Sequence, residues 1–387
     1  MLDKAKAIQD QIIAWRRDIH SHPELGYHET RTAAKVAEVM EGLGARVRRG
    51  VAKTGVVADL GSGSPVIALR ADMDALPILE RNDTPYCSTN TGVMHACGHD
   101  AHTAMLLGVA LLLARESFPG TVRFIFQPCE EAWDEEKQSG AMHMVREGVM
   151  EGVDMVVAQH VEPGTPVGTI RIEPGPCSGG VDSWHAVIIG KGGHGAKPDE
   201  TVDPFYLATH VMTALYGIIS RRIHPFDPAV VSIGSVHGGD AENVIPDKVE
   251  LSGTLRYMDE NVRKQIHQEI RRSFELTRTL GGDYSLKIET GTAPIVNDPA
   301  VAELIQEVGE DLLGRENVLP FRKELGAEDF VSFTAIVPGA MFNLGTLIEG
   351  DERFGHNPRF DIDERSLPIG TAVLAETALR FLRSKIK

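Results

Sequence analysis

Residues 121–131 read TVRFIFQPCEE. Val122 to Phe126 is a short run of β-branched and aromatic residues, which suits a buried strand. Pro128 stops it, and two consecutive acids follow, Glu130 and Glu131. Two other segments repeat the plan. Val66 to Leu69, in PVIALRADMDAL, leads to Asp72 and Asp74, and Met155 to Ala158, in DMVVAQH, leads to His160. Helical patterns beginning at His102 and near Gly140 lie between them. Short apolar strands alternating with helices imply an α/β fold, a mixed and mostly parallel sheet covered by helices on both faces. Ligands in such sheets gather at the carboxyl ends of the strands. Here three successive strands end in metal-ligating or acid–base side chains.

Away from these strands the texture changes. Before them stand two amphipathic helices, one over the first twenty or so residues with Ile8, Ile12, Ile13 and Ile19 at helical spacing, the next from Thr30 to Leu43 and stopped by Gly44. After GPCSGG (175–180), HAVIIGKGGHGAKP reads as strand, glycine turn and strand edge. A helix from about Pro204 to Arg221, the strands AVVSIGSVHGG and KVELSGTLRY, and a helix from Glu260 to Leu280 complete an inserted α+β unit. The tail from Pro294 returns to helix, then GAMFNLG, FGHNPRF and a final helix to Arg383. The expected division is one domain from residues 1–178 and 290–387, with a second, 179–289, inserted in it.

The 387 residues are 42% hydrophobic and 24% charged, an ordinary globular balance that buries a sizeable core. A formal net charge of −16 argues against nucleic acid or an anionic membrane as the main partner. No apolar run approaches the roughly 18 residues that span a bilayer, and the N-terminus lacks the unbroken apolar core of a signal peptide. Four cysteines in so long a chain do not form a disulfide framework, so Cys87, Cys97, Cys129 and Cys177 are expected as thiols in a cytoplasmic protein.

The densest chemistry lies in MHACGHDAHT, residues 94–103, just ahead of the run AMLLGVALLLA. Cys97 and His99 flank a glycine; in an extended or turning segment both face one point, and thiolate plus imidazole suits zinc or another late divalent ion. A buried thiol beside a capping histidine is the competing reading. His95 and His102 suit supporting or structural roles better than ligation. Neighbouring side chains on extended backbone point apart, so of Glu130 and Glu131 one can bind a metal while the other works on water as a general base; two solvated acids would look the same. His160 and His356 are each weak signals alone. Together with Cys97, His99 and a carboxylate they make a set able to hold one or two divalent ions. His194, between glycines in GGHGAKP, could donate to an oxyanion or be a plain turn histidine. No G-x-S-x-G occurs, which leaves Cys97 as the only nucleophile worth weighing, and no glycine-rich phosphate loop precedes a helix with a lysine.

RRDIHSHPELGYHE, RADMDALP, MHACGHDAHTAML, FQPCEE, PVGTI, GKGGHGAKP, NVIPD, GTLR, EDF and HNPRFDIDE occur in the order seen in a metallopeptidase-like amidohydrolase family. The chain resembles its hippurate hydrolases, N-acyl-amino-acid amidohydrolases and auxin-conjugate hydrolases, and more distantly dinuclear-zinc carboxypeptidases and dipeptidases. The likeness runs through essentially the whole sequence. It implies two divalent metal ions (zinc, manganese, cobalt or nickel) held by Cys97, His99, Glu131, His160 and His356, with Glu130 as general acid and base. It implies that Asp74 orients part of that site and that the inserted unit is a lid and dimerisation domain, making a homodimer or higher homo-oligomer. His194 would then stabilise the tetrahedral intermediate, often from the partner subunit, and Asn243 and Arg256 would lie near the substrate carboxylate. The implied reaction is hydrolysis of an N-acyl amino acid to a carboxylate and a free amino acid. A carboxypeptidase or dipeptidase on the same scaffold is the alternative, and a non-catalytic metal- or ligand-binding protein is the alternative of another class. Where many relatives carry glycines after the glutamate pair, this chain has AWDEEKQSGA, and Glu162 stands where many carry an aromatic residue. Both differences bear on the acyl or side-chain pocket.

Overall fold

The computed structural model describes residues 1–351 and 353–384, which form two compact units. The first comprises Met1–Cys177, Val296–Arg322 and the segment from Asp329 onward. Its sheet runs, edge to edge, through Arg46–Val51, Gly55–Ser62, Gly120–Gln127, Val66–Asp72, Met155–Pro166, Gly339–Leu347, Ile170–Arg171 and Val318–Leu319. The central strands pair in parallel, while the Arg46–Val51 and Gly55–Ser62 hairpin joins Gly120–Gln127 antiparallel. Every residue of Val66–Asp72 after the first is buried, as a strand covered on both faces requires.

The helix His99–Leu113 packs on that strand and against Gln9–His20 and the closing helix Leu367–Ser384. It is buried at every position but Leu111, which explains why its sequence is apolar all round. This helix starts three residues earlier than the sequence suggested. Gly98 takes the N-cap position with φ 91°, so His99 is the first helical residue instead of lying ahead of the helix. The opening amphipathic segment is also two helices, Leu2–Lys6 and Gln9–His20, in place of one.

The second unit comprises Ser178–Ile295 with Lys323–Glu328. Its antiparallel sheet has the order Ala229–His237, Lys248–Tyr257, Gly180–Ile189, Asp283–Thr290. Trp184, Ala186 and Ile188 alternate inward along Gly180–Ile189 and meet the apolar faces of the helices Pro204–Arg222 and Glu260–Thr279. Trp184 and Phe274 touch edge to face with centroids 5.9 Å apart. Asp203 and Asp259 cap the two helices, each accepting backbone N–H bonds in the first turn. Among the described residues no helix is long and apolar enough to cross a membrane.

Candidate metal centre

In the first unit the side chains proposed as ligands meet. Ligand atoms of Cys97, His99 and His160 lie within 4.8 Å of one another, as do those of Cys97, Glu131 and His356, and those of His99, Glu130 and Glu131. Because Cys97 and His99 each belong to two of these groups, the five form one cluster with Glu130 on its border. Cys97 Sγ is 3.4 Å from His160 Nε2, and His356 Nε2 is 3.1 Å from Glu131 Oε1.

Local backbone explains the convergence. A Cβ on Gly98 would lie 2.3 Å from Val161 Cγ2, so only glycine lets the Cys97–His99 turn press against the strand that carries His160. His356 also has a left-handed backbone, φ 60°, and its N–H donates to Ala96 O at 2.7 Å, fastening a distant turn beside Cys97. Glu131 N–H donates to Asp74 Oδ2 at 2.9 Å, and His99 Nδ1 donates to the Asp74 carbonyl at 2.9 Å. Asp74, on the loop beyond Val66–Asp72, thus touches both the glutamate loop and a histidine of the cluster. Glu130 Oε1 sits 3.4 Å from the N–H of Asp329.

Ring nitrogens separate ligand candidates from supports. His99 Nε2 is buried without a hydrogen-bond partner among the described residues. His160 donates through Nδ1 to the Val161 carbonyl at 2.8 Å, leaving Nε2 toward Cys97. Burial lowers the His160 pKa to about 3, so its imidazole is neutral. Both nitrogens of His102 are committed: Nδ1 bonds Asp72 Oδ1 at 2.6 Å and Nε2 accepts the Val161 N–H at 3.0 Å. His102 therefore braces the strand bearing His160. His95 is buried apart from the cluster, its ring 6.3 Å from that of His20. Burial, then the Glu131 charge, pushes the Cys97 thiol up to about 12, which makes it a poor free nucleophile. A soft sulfur, two imidazoles with available nitrogens, a half-exposed third and a carboxylate form a donor set that fits divalent ions.

In the second unit, His194 is exposed on the short strand Gly193–His194, which pairs with Val244–Ile245. Its Nδ1 accepts the Ala196 N–H at 3.1 Å, so the neutral ring carries its proton on Nε2. The Asn243 carbonyl accepts the Gly195 N–H at 2.8 Å, seating Asn243 beside that turn. Arg256 lies on Lys248–Tyr257, partly buried, and its guanidinium has no carboxylate partner among the described residues.

Arg16, Asp100 and Asp361 lie within RRDIHSHPELGYHE, MHACGHDAHTAML and HNPRFDIDE, motifs that carry the family resemblance without giving these residues a role. Arg16 is fully buried, with Nε 2.8 Å from Asp100 Oδ2 and Nη2 2.6 Å from Asp361 Oδ1. It ties the segment of His99 to the segment that follows His356. A cation at position 16, between Ile12 and Ile19 on the inward face of its helix, was the available clue.

A family model described as Peptidase family M20/M25/M40 matches residues 68–380. Thermostable carboxypeptidase 2 of Saccharolobus solfataricus is 40% identical, covering 97% of this chain and 96% of its own. N-acetyl-L-cysteine deacetylase of Bacillus subtilis is 38% identical over 97% of this chain and 89% of its own. The crystal structure of the Bacillus subtilis YXEP protein, described as a dinuclear metal binding peptidase from the M20 family, matches with a TM-score of 0.85 at 34% identity, covering 98% of this chain and 99% of that one. The chain belongs to peptidase family M20/M25/M40 and is a hydrolase of amide or peptide bonds.

Proposed function

We propose that this hydrolase cleaves N-acyl amino acids, holding two divalent ions on Cys97, His99, Glu131, His160 and His356, with Glu130 as general acid and base. The observation that carries it is the single cluster of those five side chains with Glu130 at its edge. The similarity to a dinuclear metal binding peptidase and to a deacetylase supports the same reading. Zinc, manganese, cobalt and nickel all suit the donors.

Divalent ions bound there would polarise the scissile carbonyl and acidify water. Glu130, steadied by the Asp329 N–H, takes the proton of the attacking water and returns it to the departing nitrogen. Asp74 fixes His99 and the glutamate loop together, so that both carboxylates keep their separate tasks. Residues 179–289 act as the lid and dimerisation domain of a cytoplasmic homodimer or higher homo-oligomer. There, His194 offers its Nε2–H to the developing oxyanion, and Asn243 and the guanidinium of Arg256 receive the substrate carboxylate.

A carboxypeptidase or dipeptidase reading is favoured by one observation, the 40% identity to a thermostable carboxypeptidase. Kinetics on acetyl, benzoyl and other acyl amino acids beside dipeptides and longer peptides, each with zinc, manganese, cobalt or nickel, separate the two. Acyl amino acids should give the higher kcat/KM; peptides doing so would replace this reading with the other. Glu130→Gln should keep the metal content of the wild type while kcat falls by at least about a hundredfold. Retained turnover would remove Glu130 from the role.

A further inference from the structure

Glu29 closes the HPELGYHE segment, residues 22–29, and precedes the helix Thr30–Gly42. Its position invites a capping role, yet its side chain makes no cap hydrogen bond. Glu24 does that work, accepting the N–H groups of Arg31 and Thr32 at 2.9 Å each. Glu29 is instead 0% exposed and pairs with no cation among the described residues. Burial, then the Asp74 charge, pushes its pKa up to about 7. A buried acid without a counter-charge costs stability, so its retention needs another reason.

That reason lies across the fold. Oε1 of Glu29 accepts the backbone N–H of Cys129 at 2.8 Å, and Oε2 accepts the Thr54 hydroxyl at 2.5 Å. Cys129 has φ 49°, a left-handed conformation that strains a non-glycine residue. It directly precedes Glu130. Its carbonyl accepts the Gly140 N–H at 2.8 Å, and its Sγ seats against Gly26, where a Cβ would come within 2.7 Å. Residues 26 and 29 therefore form a cradle for one strained turn. On the far side of the glutamate pair, Asp74 accepts the Glu131 N–H. Two buried carboxylates thus hold the backbone on either side of Glu130.

We propose that Glu29 is a positioning residue: its carboxylate locks the left-handed turn at Cys129 and so sets the directions in which Glu130 and Glu131 leave the Gly120–Gln127 strand. This rests on the roles given to those two glutamates under the proposed function. The test compares Glu29→Met and Glu29→Gln with the wild type. Three readouts are taken: cobalt titration followed by visible absorbance, kcat and KM at saturating metal, and thermal melting of the metal-free chain. For Glu29→Met, cobalt affinity and kcat should each fall about 10- to 100-fold, the range for residues that orient a metal site. KM should stay within about threefold, and the variant should still melt cooperatively at a lowered temperature, since the Cys129 N–H and the Thr54 hydroxyl lose their acceptor. Glu29→Gln still offers an oxygen to the Cys129 N–H and should remain within about fivefold of wild type. The proposal is overturned if folded Glu29→Met keeps both cobalt affinity and kcat within threefold, or if Glu29→Gln is as impaired as Glu29→Met. Should Glu29→Met fail to fold, Glu29→Ala is judged by the same thresholds. A wild type that binds cobalt but cleaves no amide would sink the proposed reaction, and the cobalt titration would still decide the role of Glu29.

Discussion

Replacing Arg16 by methionine probes how the cluster is held together. The guanidinium is fully buried and reaches Asp100 Oδ2 at 2.8 Å, Asp361 Oδ1 at 2.6 Å and Glu364 Oε1 at 3.2 Å. Removing one partner of a buried ion pair costs about 3–5 kcal/mol, because the other charge stays buried. Here each main acid keeps a second donor: His20 Nδ1 lies 2.8 Å from Asp100, and the Tyr86 hydroxyl lies 2.9 Å from Asp361. The lower end, about 3 kcal/mol, is therefore the expectation, or roughly 6–12 °C of melting temperature for a unit of this size. Thermal unfolding of the metal-free chain reads this directly. Burial alone would raise the Asp100 pKa, but the charges of Arg16 and His20 outweigh it and hold this carboxyl well below the usual range. A group with a depressed folded pKa stabilises above its unfolded value near 3.9 and loses that contribution as pH falls through the folded value. The variant has less of this contribution to lose, so its deficit should shrink toward acid pH. In a double-mutant cycle, Asp100→Asn should cost clearly less in the Arg16→Met background than alone, by at least about 1 kcal/mol. A loss below about 1 kcal/mol for Arg16→Met, or purely additive effects, would refute the clamp.

Two more outcomes follow from the same surroundings. Burial acts to lower the His20 pKa, yet the Asp100 charge and the hydrogen bond to it raise the value to about 9. Its contribution, on the order of 3 kcal/mol, is fully present below about pH 6.5 and lost as pH rises through about 9. Melting temperature followed from pH 6 to 10 should fall across that window in the wild type and less steeply in His20→Gln; parallel curves would contradict it. His102→Leu strips both the Asp72 bond and the acceptor for the Val161 N–H, so metal affinity by calorimetry should drop about 10- to 100-fold. An affinity within threefold would show that His102 does not brace His160.

The α/β reading was legible because the central strands are short, apolar and closed by chemical side chains. Val66–Asp72, Gly120–Gln127 and Met155–Pro166 neighbour one another in the sheet, but only the first two lead into those side chains at their ends; the third runs on to Pro166 and carries His160 in mid-strand instead of ending there. The edge hairpin was not foreseen. Arg46–Val51 reads RVRRGV, mostly exposed, with a register break near Gly50 that erases any apolar alternation. Individual ligands were visible as residue types at suggestive positions, but their convergence was not. The Ala96–His356 backbone bond joins segments far apart in the chain, and no local pattern encodes it. The particular ligand set came from family likeness, since spacing alone left a structural thiol, solvated acids and turn histidines open. Buried supports such as Arg16, Asp100 and Glu29 look like surface charges until the tertiary structure covers them.

The most direct test is anomalous scattering from crystals grown with manganese or zinc. Two peaks per chain are expected, with protein ligands drawn from Cys97, His99, Glu131, His160 and His356, and with Glu130 outside both coordination shells. A single peak, ions bound elsewhere, or Glu130 coordinated directly would contradict the assignment of two metals and a free base.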